Sequence, residues 1–254
     1  MIVFCRMLIK QNPTCPHCHH EYTVKNGKTY YGKQNYKCRN QDCRRQFVEP
    51  KQDPIENYQE ELLASLLLER IPLRGISRVL NKSLSWIYHR MQKLWELLPK
   101  ELPIGNLGTS VIELHCVEAD EMWSFVGAKD CQEWIWLAIE RKTRLVVGFH
   151  IGGRDEEGAL GLKLSIHSHL LDRALVFADD FPSYGTVFPK GQLQQEGKKQ
   201  TTKIERFNNT IRQRCSRLVR LALSFSKKWG NHYLAIKYFI VNYNFEIIAN
   251  NPSL

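Results

Sequence analysis

The run Thr202-Lys-Ile-Glu-Arg-Phe-Asn-Asn-Thr-Ile-Arg-Gln-Arg-Cys-Ser-Arg-Leu-Val-Arg220 is the stretch from which the rest of the chain can be read. Ile204, Phe207, Ile211, Cys215 and Leu218 recur at three- and four-residue steps, one apolar stripe of an α-helix. The rows beside it are basic: Arg212, Arg214, Arg217 and Arg220. Between Lys198 and Lys228 there are ten Lys or Arg residues and a single acid, Glu205. Glu205, Asn208 and Arg212 stand at i, i+3 and i+7 and therefore share a face next to the stripe. Two readings of the lone carboxylate stand at this point. It is either a solvated partner for Arg206 or Arg212, or a metal ligand at the edge of a surface that holds phosphates.

Composition narrows the choice. The chain has 254 residues, 43% hydrophobic and 11% aromatic, enough to bury a core in one or two domains. A formal net charge of +10 points to a polyanionic partner, with nucleic acid the first candidate and an anionic membrane surface the second. No run approaches the ~20 apolar residues that cross a bilayer, and Met1 to Leu8 lacks the length and cleavage site of a signal peptide. The expected location is the cytoplasm, in association with the nucleoid and with no membrane partner. Eight cysteines in such a compartment read as metal ligands or core thiols before disulfides.

Upstream, Cys15-Pro-His-Cys18 and Cys38-Arg-Asn-Gln-Asp-Cys43 form two close cysteine pairs, the pattern of a tetrahedral zinc-thiolate site. Cys15, Cys18, Cys38 and Cys43 are the preferred ligands, with His17, His19 and His20 as substitutes. Between the pairs, Tyr22 to Tyr36 reads as a β-hairpin turning at Asn26-Gly27. Residues 1–50 are thus expected to be a zinc ribbon, folded by its metal because the segment is too polar to bury a core. Its nine Lys or Arg against three acids suit phosphate contact.

Residues 51–98 read as three helices: Ile55 to Leu68, Leu73 to Leu80, and Leu84 to Leu97 with Ser83 as N-cap. A support helix followed by two short helices around a tight turn describes a helix-turn-helix. Ser85, Trp86, His89 and Arg90 lie near the start of its last helix, the end that enters a major groove. Residues 99–110, rich in Pro and Gly, read as a linker. From 111 to 250 the pattern is α/β. Strands are expected over Val111 to Val117 leading into Asp120, Trp134 to Ile139, Leu145 to Ile151 and Ala174 to Ala178, with a weaker one near Gly191 to Gln195. Helices are expected over Asp155 to Leu171, along the opening stretch, and over Trp229 to Ile248.

Three acids in this region can converge: Asp120 on the first strand, Asp179 at the tip of the fourth, and Glu205. Carboxylates crowded together repel and raise one another's pKa, so the cluster makes physical sense when hard divalent cations fill it.

The residues now resemble those of a known family. Cys15-Pro-His-Cys18, Asn26-Gly-Lys28, Tyr36-Lys-Cys38, Asp120-Glu-Met-Trp-Ser-Phe-Val-Gly-Ala-Lys129, Asp179-Asp-Phe-Pro-Ser-Tyr184, Ile204-Glu-Arg-Phe-Asn-Asn209 and Leu223-Ser-Phe-Ser-Lys227 resemble the bacterial insertion-sequence transposases of the IS-one family. The resemblance runs from Thr14 to about Asn244. It implies an RNase H-like catalytic domain with a DDE triad behind a zinc ribbon and a helix-turn-helix. Carried over by motif, the triad is Asp120, Asp179 and Glu205, holding two Mg²⁺ or Mn²⁺ ions. The family commonly spaces its second and third acids by twenty-four residues. Asp180 has that spacing from Glu205 and Asp179 has twenty-five, but the Asp-x-aromatic-Pro-x-Tyr pattern aligns on Asp179. Relatives often carry a histidine between these acids, where this chain has Gln194 and Gln195.

The implied function is binding of terminal inverted repeats, cleavage of the element ends, and joining of the freed 3′-hydroxyl to target DNA, in a homo-oligomer that pairs two ends. Asn208, Arg212, Arg214, Arg217 and Arg220 are expected to contact the DNA backbone. Two other classes fit the same residues: a DNA-binding repressor with a decayed catalytic domain, and an RNase H-like nuclease without strand transfer.

Overall fold

A computed structural model describes residues 12–30, 32–48, 54–105, 107, 115–195, 200–218 and 225–251. They divide into two compact units, one ending at Leu62 and the other running from Leu63 onward.

In the first unit three antiparallel strands lie in the order β1 (Thr23–Lys28), β2 (Gln34–Cys38), β3 (Gln46–Val48). The hairpin forms, but its reversal is not at Asn26-Gly27. Gly27, at φ 71°, sits in a bulge where pairing jumps from Lys25↔Tyr36 to Lys28↔Gln34. The chain turns between Thr29 and Lys33 instead, closed by Thr29 N–H to Lys33 O at 2.8 Å, with Gly32 at φ 76°. The apolar core is little more than the stacked rings of Tyr36 and Phe47, 5.8 Å apart, beside the cysteines.

Helix α1 (Pro54–Leu66) leads into the second unit, where α2 (Leu73–Leu80) and α3 (Leu84–Glu96) flank a three-residue turn. Asn81 makes the turn at φ 50°, a conformation Asn tolerates, and Ser83 Oγ accepts from Trp86 N–H at 3.2 Å to start α3. Ile76, Leu80, Ile87, Met91 and Trp95 are buried. Their helical spacing is what turns these faces inward.

A five-stranded mixed sheet follows, in the order β6 (Val146–Gly152), β5 (Gln132–Glu140), β4 (His115–Phe125), β7 (Ala174–Phe177), β8 (Leu193–Gln194). Strands β4, β5 and β6 form an antiparallel meander, while β4 pairs with β7, and β7 with β8, in parallel. Residues 111–114 of the expected first strand lie outside the described residues, as does Arg220.

Both faces of the sheet are covered, which explains why β5 reads as a continuous apolar run. Trp136 and Ala138 face α4 (Glu156–Ser165), α5 (Ser168–Leu171) and α6 (Pro182–Val187) through Ala159, Leu162, Leu170 and Tyr184. Ile135, Leu137 and Ile139 face α7 (Thr202–Arg214) and α8 (Trp229–Asn250) through Ile204, Phe207, Ile211, Ile236 and Phe239. Each buried residue of the α7 stripe contributes roughly 1.5–3 kcal/mol, which seats an otherwise very polar helix on the sheet. No described helix is long and apolar enough to cross a membrane.

Two expected helices end well short of their patterns. The one over Asp155 to Leu171 breaks at Ile166, whose ψ is 135°. Ser165 Oγ donates to Leu162 O at 2.6 Å and accepts from Phe149 N–H at 2.9 Å, so the hydroxyl ends α4 by tying it to the sheet. The opening helix stops at Arg214. Cys215 leaves the helical region at ψ 110°, and a short 3-10 turn, Ser216–Leu218, follows.

Candidate active site

The site is built on β4. Its parallel register with β7 sets Glu118 opposite Phe177, so two residues further along each chain Asp120 comes level with Asp179, just past the end of β7. Carboxylate oxygens of Asp120, Glu121 and Asp179 lie within 4.8 Å of one another. Asp179 Oδ1 accepts from Phe181 N–H at 3.1 Å, and Gln195 Nε2 donates to Asp179 O at 2.7 Å, which holds the loop at the strand tip. Asp180 is exposed and outside this cluster.

Glu121 was absent from the expected set, and alternation along β4 places it on the sheet face opposite Asp120. Its carboxylate nonetheless lies within 4.8 Å of those of Asp120 and Asp179. Arg154 donates to Glu121 Oε1 from Nε at 3.0 Å and from its terminal nitrogen at 2.8 Å, and buried Tyr184 donates to Oε2 at 2.9 Å. Arg154 itself stacks on Trp134 and Phe181, each 4.5 Å from its guanidinium carbon.

The third element is α7. Asn208 Nδ2 donates to Asp120 Oδ2 at 2.6 Å. Asn208 is 4% exposed, so the side chain expected to meet phosphate is turned onto Asp120 instead. Glu205, one turn earlier on the same face, is exposed and not among the three clustered carboxylates, yet its charge reaches Asp120.

Electrostatics follow from this crowding. Burial pushes the Asp120 carboxyl up from 3.8 to about 7, and the charges of Glu121, Asp179 and Glu205 push in the same direction. Burial likewise raises Glu121, against the hydrogen bonds from Arg154 and Tyr184. The Tyr184 hydroxyl is raised well above its ordinary value by burial and by the Glu121 charge, which keeps it a proton donor. Asn208 Oδ1 is buried with no hydrogen-bond partner among the described residues. Mutually repelling carboxylates beside an orphaned amide oxygen are a hard-oxygen donor set that fits divalent cations.

The remaining expected residues fall in several places. Ser85 and His89 are exposed at the start of α3, while Trp86 and Arg90 are half-buried. The Lys82 ammonium and the Arg90 guanidinium lie 5.4 and 5.6 Å from the Trp86 ring. Arg212 is half-buried. Arg214 pairs with Glu69 at 3.1 Å and covers Phe239, so it is partly committed to packing. Arg217 is half-buried as well, and its desolvation lowers its pKa.

A separate centre lies in the first unit. The sulfurs of Cys15, Cys18, Cys38 and Cys43 lie within 4.8 Å of one another, with Cys15 to Cys43 at 3.7 Å and Cys18 to Cys38 at 3.6 Å. A tetrahedron of thiolates about 2.3 Å from zinc has edges of about 3.8 Å, so the cluster fits that ion. His17, His19 and His20 are exposed and outside it. Positive φ at His19 and Arg44 closes the two knuckles. Burial raises the Cys38 thiol to about 12. The Cys15 thiol falls to about 7 because hydrogen bonds, first from the His17 backbone, outweigh its burial.

A family model described as IS1 transposase matches residues 113–246. The Insertion element IS1 4 protein InsB of Escherichia coli (strain K12) is 38% identical over 161 residues, 61% of this chain and 93% of that protein. The IS1 9 protein InsB of the same strain is 35% identical over the same length, with the same coverage. A solved structure titled Mos1 transposase paired-end complex with left transposon end covers 80% of this chain and 82% of its own at 12% identity, with a TM-score of 0.29. A likeness that low carries no weight.

Proposed function

This chain belongs to the IS1 transposase family, and from that premise we propose that Asp120, Asp179 and Glu205 are the acids of an RNase H-like catalytic domain spanning residues 111–250. The single observation behind the reading is the convergence of Asp120, Glu121 and Asp179 within 4.8 Å, with the Asp120 carboxyl pushed up to about 7. These acids, with Glu205 alongside, would hold two Mg²⁺ or Mn²⁺ ions. When bound, such ions activate a water or a 3′-hydroxyl and stabilise the leaving oxygen of an in-line phosphoryl displacement.

The protein's own contribution is position and charge. Asn208 fixes the rotamer of Asp120 through its 2.6 Å hydrogen bond. Tyr184 and Arg154 hold Glu121 so that its carboxylate faces the other acids. Residues 1–50 would act as a zinc ribbon with Cys15, Cys18, Cys38 and Cys43 as ligands. Residues 51–98 would act as a helix-turn-helix presenting Ser85, Trp86, His89 and Arg90 to the terminal inverted repeats, joined by a linker at 99–110. Arg212, Arg214, Arg217 and Arg220 would neutralise phosphate near the site. Pairing of two ends requires a homo-oligomer.

The test uses labelled end DNA and a plasmid target with Mg²⁺. The wild type should give joined products. Nicks alone would mean a nuclease, and gel shifts alone a repressor. Alanine at Asp120, Asp179 or Glu205 should abolish cleavage while end binding persists, and cleavage by Asp120→Ala would refute the assignment.

A further inference from the structure

Two residues before Asp120 on the same face of β4 stands Glu118, a carboxylate only 1% exposed. Its Oε2 accepts from the backbone N–H groups of Lys203 at 2.7 Å and Ile204 at 3.0 Å, the open donors in the first turn of α7. The residue that normally serves a helix start, Thr201, makes no side-chain capping bond here. A carboxylate from 85 residues upstream therefore does the capping, and its negative charge faces the positive end of the helix. Glu118 Oε1 accepts from Arg141 Nε at 2.8 Å. Arg141 also donates to Gln200 O at 2.7 Å, just before the helix, and its guanidinium lies 4.0 Å from the Phe177 ring centroid. The arginine thus joins β4, β7 and the approach to α7.

We propose that Glu118 and Arg141 are positioning residues that clamp the N-terminus of α7 to β4 and so set the place of Glu205 relative to Asp120. Glu205 immediately follows Ile204, whose N–H the clamp holds, and Asn208 one turn later is tied to Asp120. The helix is pinned on both sides of Glu205. A burial stripe alone lets a helix slide or roll by a fraction of a turn, whereas paired hydrogen bonds to two successive amides fix its axial position. Neither residue would touch DNA or the reacting atoms. The inference rests on Glu205 being the third acid.

The experiment takes full-length Glu118→Ala, Glu118→Gln, Arg141→Gln and Glu205→Ala beside the wild type. Hydrogen exchange of the protein without added Mg²⁺ or Mn²⁺, read on peptides spanning 200–208, should be faster in Glu118→Ala and Arg141→Gln and only partly so in Glu118→Gln, whose Nε2 can no longer accept from Arg141 Nε. The glutamine amide oxygen can still accept from both N–H groups. End cleavage by Glu118→Ala should fall about 10–100-fold, the usual effect of removing a group that orients a ligand. Its half-saturating Mn²⁺ should rise with it, end binding should not change, and Glu118→Gln should recover much of the loss. A generally weakened fold would lower the rate without moving the Mn²⁺ midpoint. Unchanged exchange at 200–208, or unchanged Mn²⁺ dependence, overturns the clamp. If Glu118→Ala does not fold, Arg141→Gln carries both readouts. Cleavage by Glu205→Ala would instead sink the reading of the triad, while the exchange arm still judges the clamp.

Discussion

Replacing Asp120 by asparagine should stabilise the metal-free protein at neutral and alkaline pH while destroying its activity. The carboxyl lies at about 7 in the fold against 3.8 ordinarily. A carboxylate raised in this way binds its proton more tightly folded than unfolded, so its contribution to stability is lost as pH climbs from about 4 to about 7. Each pH unit corresponds to about 1.4 kcal/mol, which bounds the penalty at about 4 kcal/mol. Relaxation of neighbouring side chains and water penetration bring such penalties well below their bound, here to about 2 kcal/mol. For a unit of this size, that is a rise in Tm of about 4–8 °C for Asp120→Asn at pH 8. At pH 4 the two proteins should coincide. The substitution conserves the acceptor for Asn208 Nδ2, so the 2.6 Å contact need not be lost. The assay is thermal unfolding from pH 4 to 8 in buffer free of Mg²⁺ and without chelator, so that any zinc leaves the cysteine centre only by acid and equally in both proteins. Added Mg²⁺ should raise the wild-type Tm at pH 8 more than at pH 5 and leave Asp120→Asn nearly unmoved. A wild type that equals or exceeds Asp120→Asn in stability at pH 8 without Mg²⁺ would show that burial and the neighbouring acids do not raise the Asp120 carboxyl as described.

Three further outcomes are expected. Cys38→Ser, or treatment with a zinc chelator, should unfold residues 12–48 while the sheet domain keeps its own melting transition, and one zinc per chain should be released to a colorimetric indicator. Tyr184→Phe should cost about 1–3 kcal/mol in denaturant unfolding, because it leaves the buried Glu121 carboxylate short of its 2.9 Å donor. Arg90→Ala and His89→Ala should weaken binding of end DNA more than of random DNA. Lys82→Ala should weaken both alike and flatten the dependence of affinity on salt.

Local pattern made much of this protein legible in the sequence. The stripe Ile204, Phe207, Ile211 foretold which face of α7 is buried, since a 3.6-residue period leaves little choice. The alternating and continuous apolar runs marked β5 to β7 and the start of β4, and the spacing of Cys15, Cys18, Cys38 and Cys43 marked a cluster that the fold does assemble. What pattern misjudged was local competition from side chains and tertiary pull. Asn26-Gly27 became a bulge rather than a turn, Ser165 ended a helix early by bonding to the sheet, and α7 stopped at Arg214.

The carboxylate constellation is another matter. Periodicity says which face a residue occupies but not which residue of a distant strand lies beside it. That Asp120 comes level with Asp179 depends on the parallel register of β4 and β7, which buried packing sets and no local signal records. For the same reason Glu121 joined from the opposite face, Asn208 turned inward to Asp120, and Glu118 became the cap of a helix 85 residues away. The sequence by itself determined the elements and the chemistry available on each. Only the tertiary structure decided which carboxylates meet and what holds them there, because those contacts arise from long-range packing rather than from neighbours along the chain.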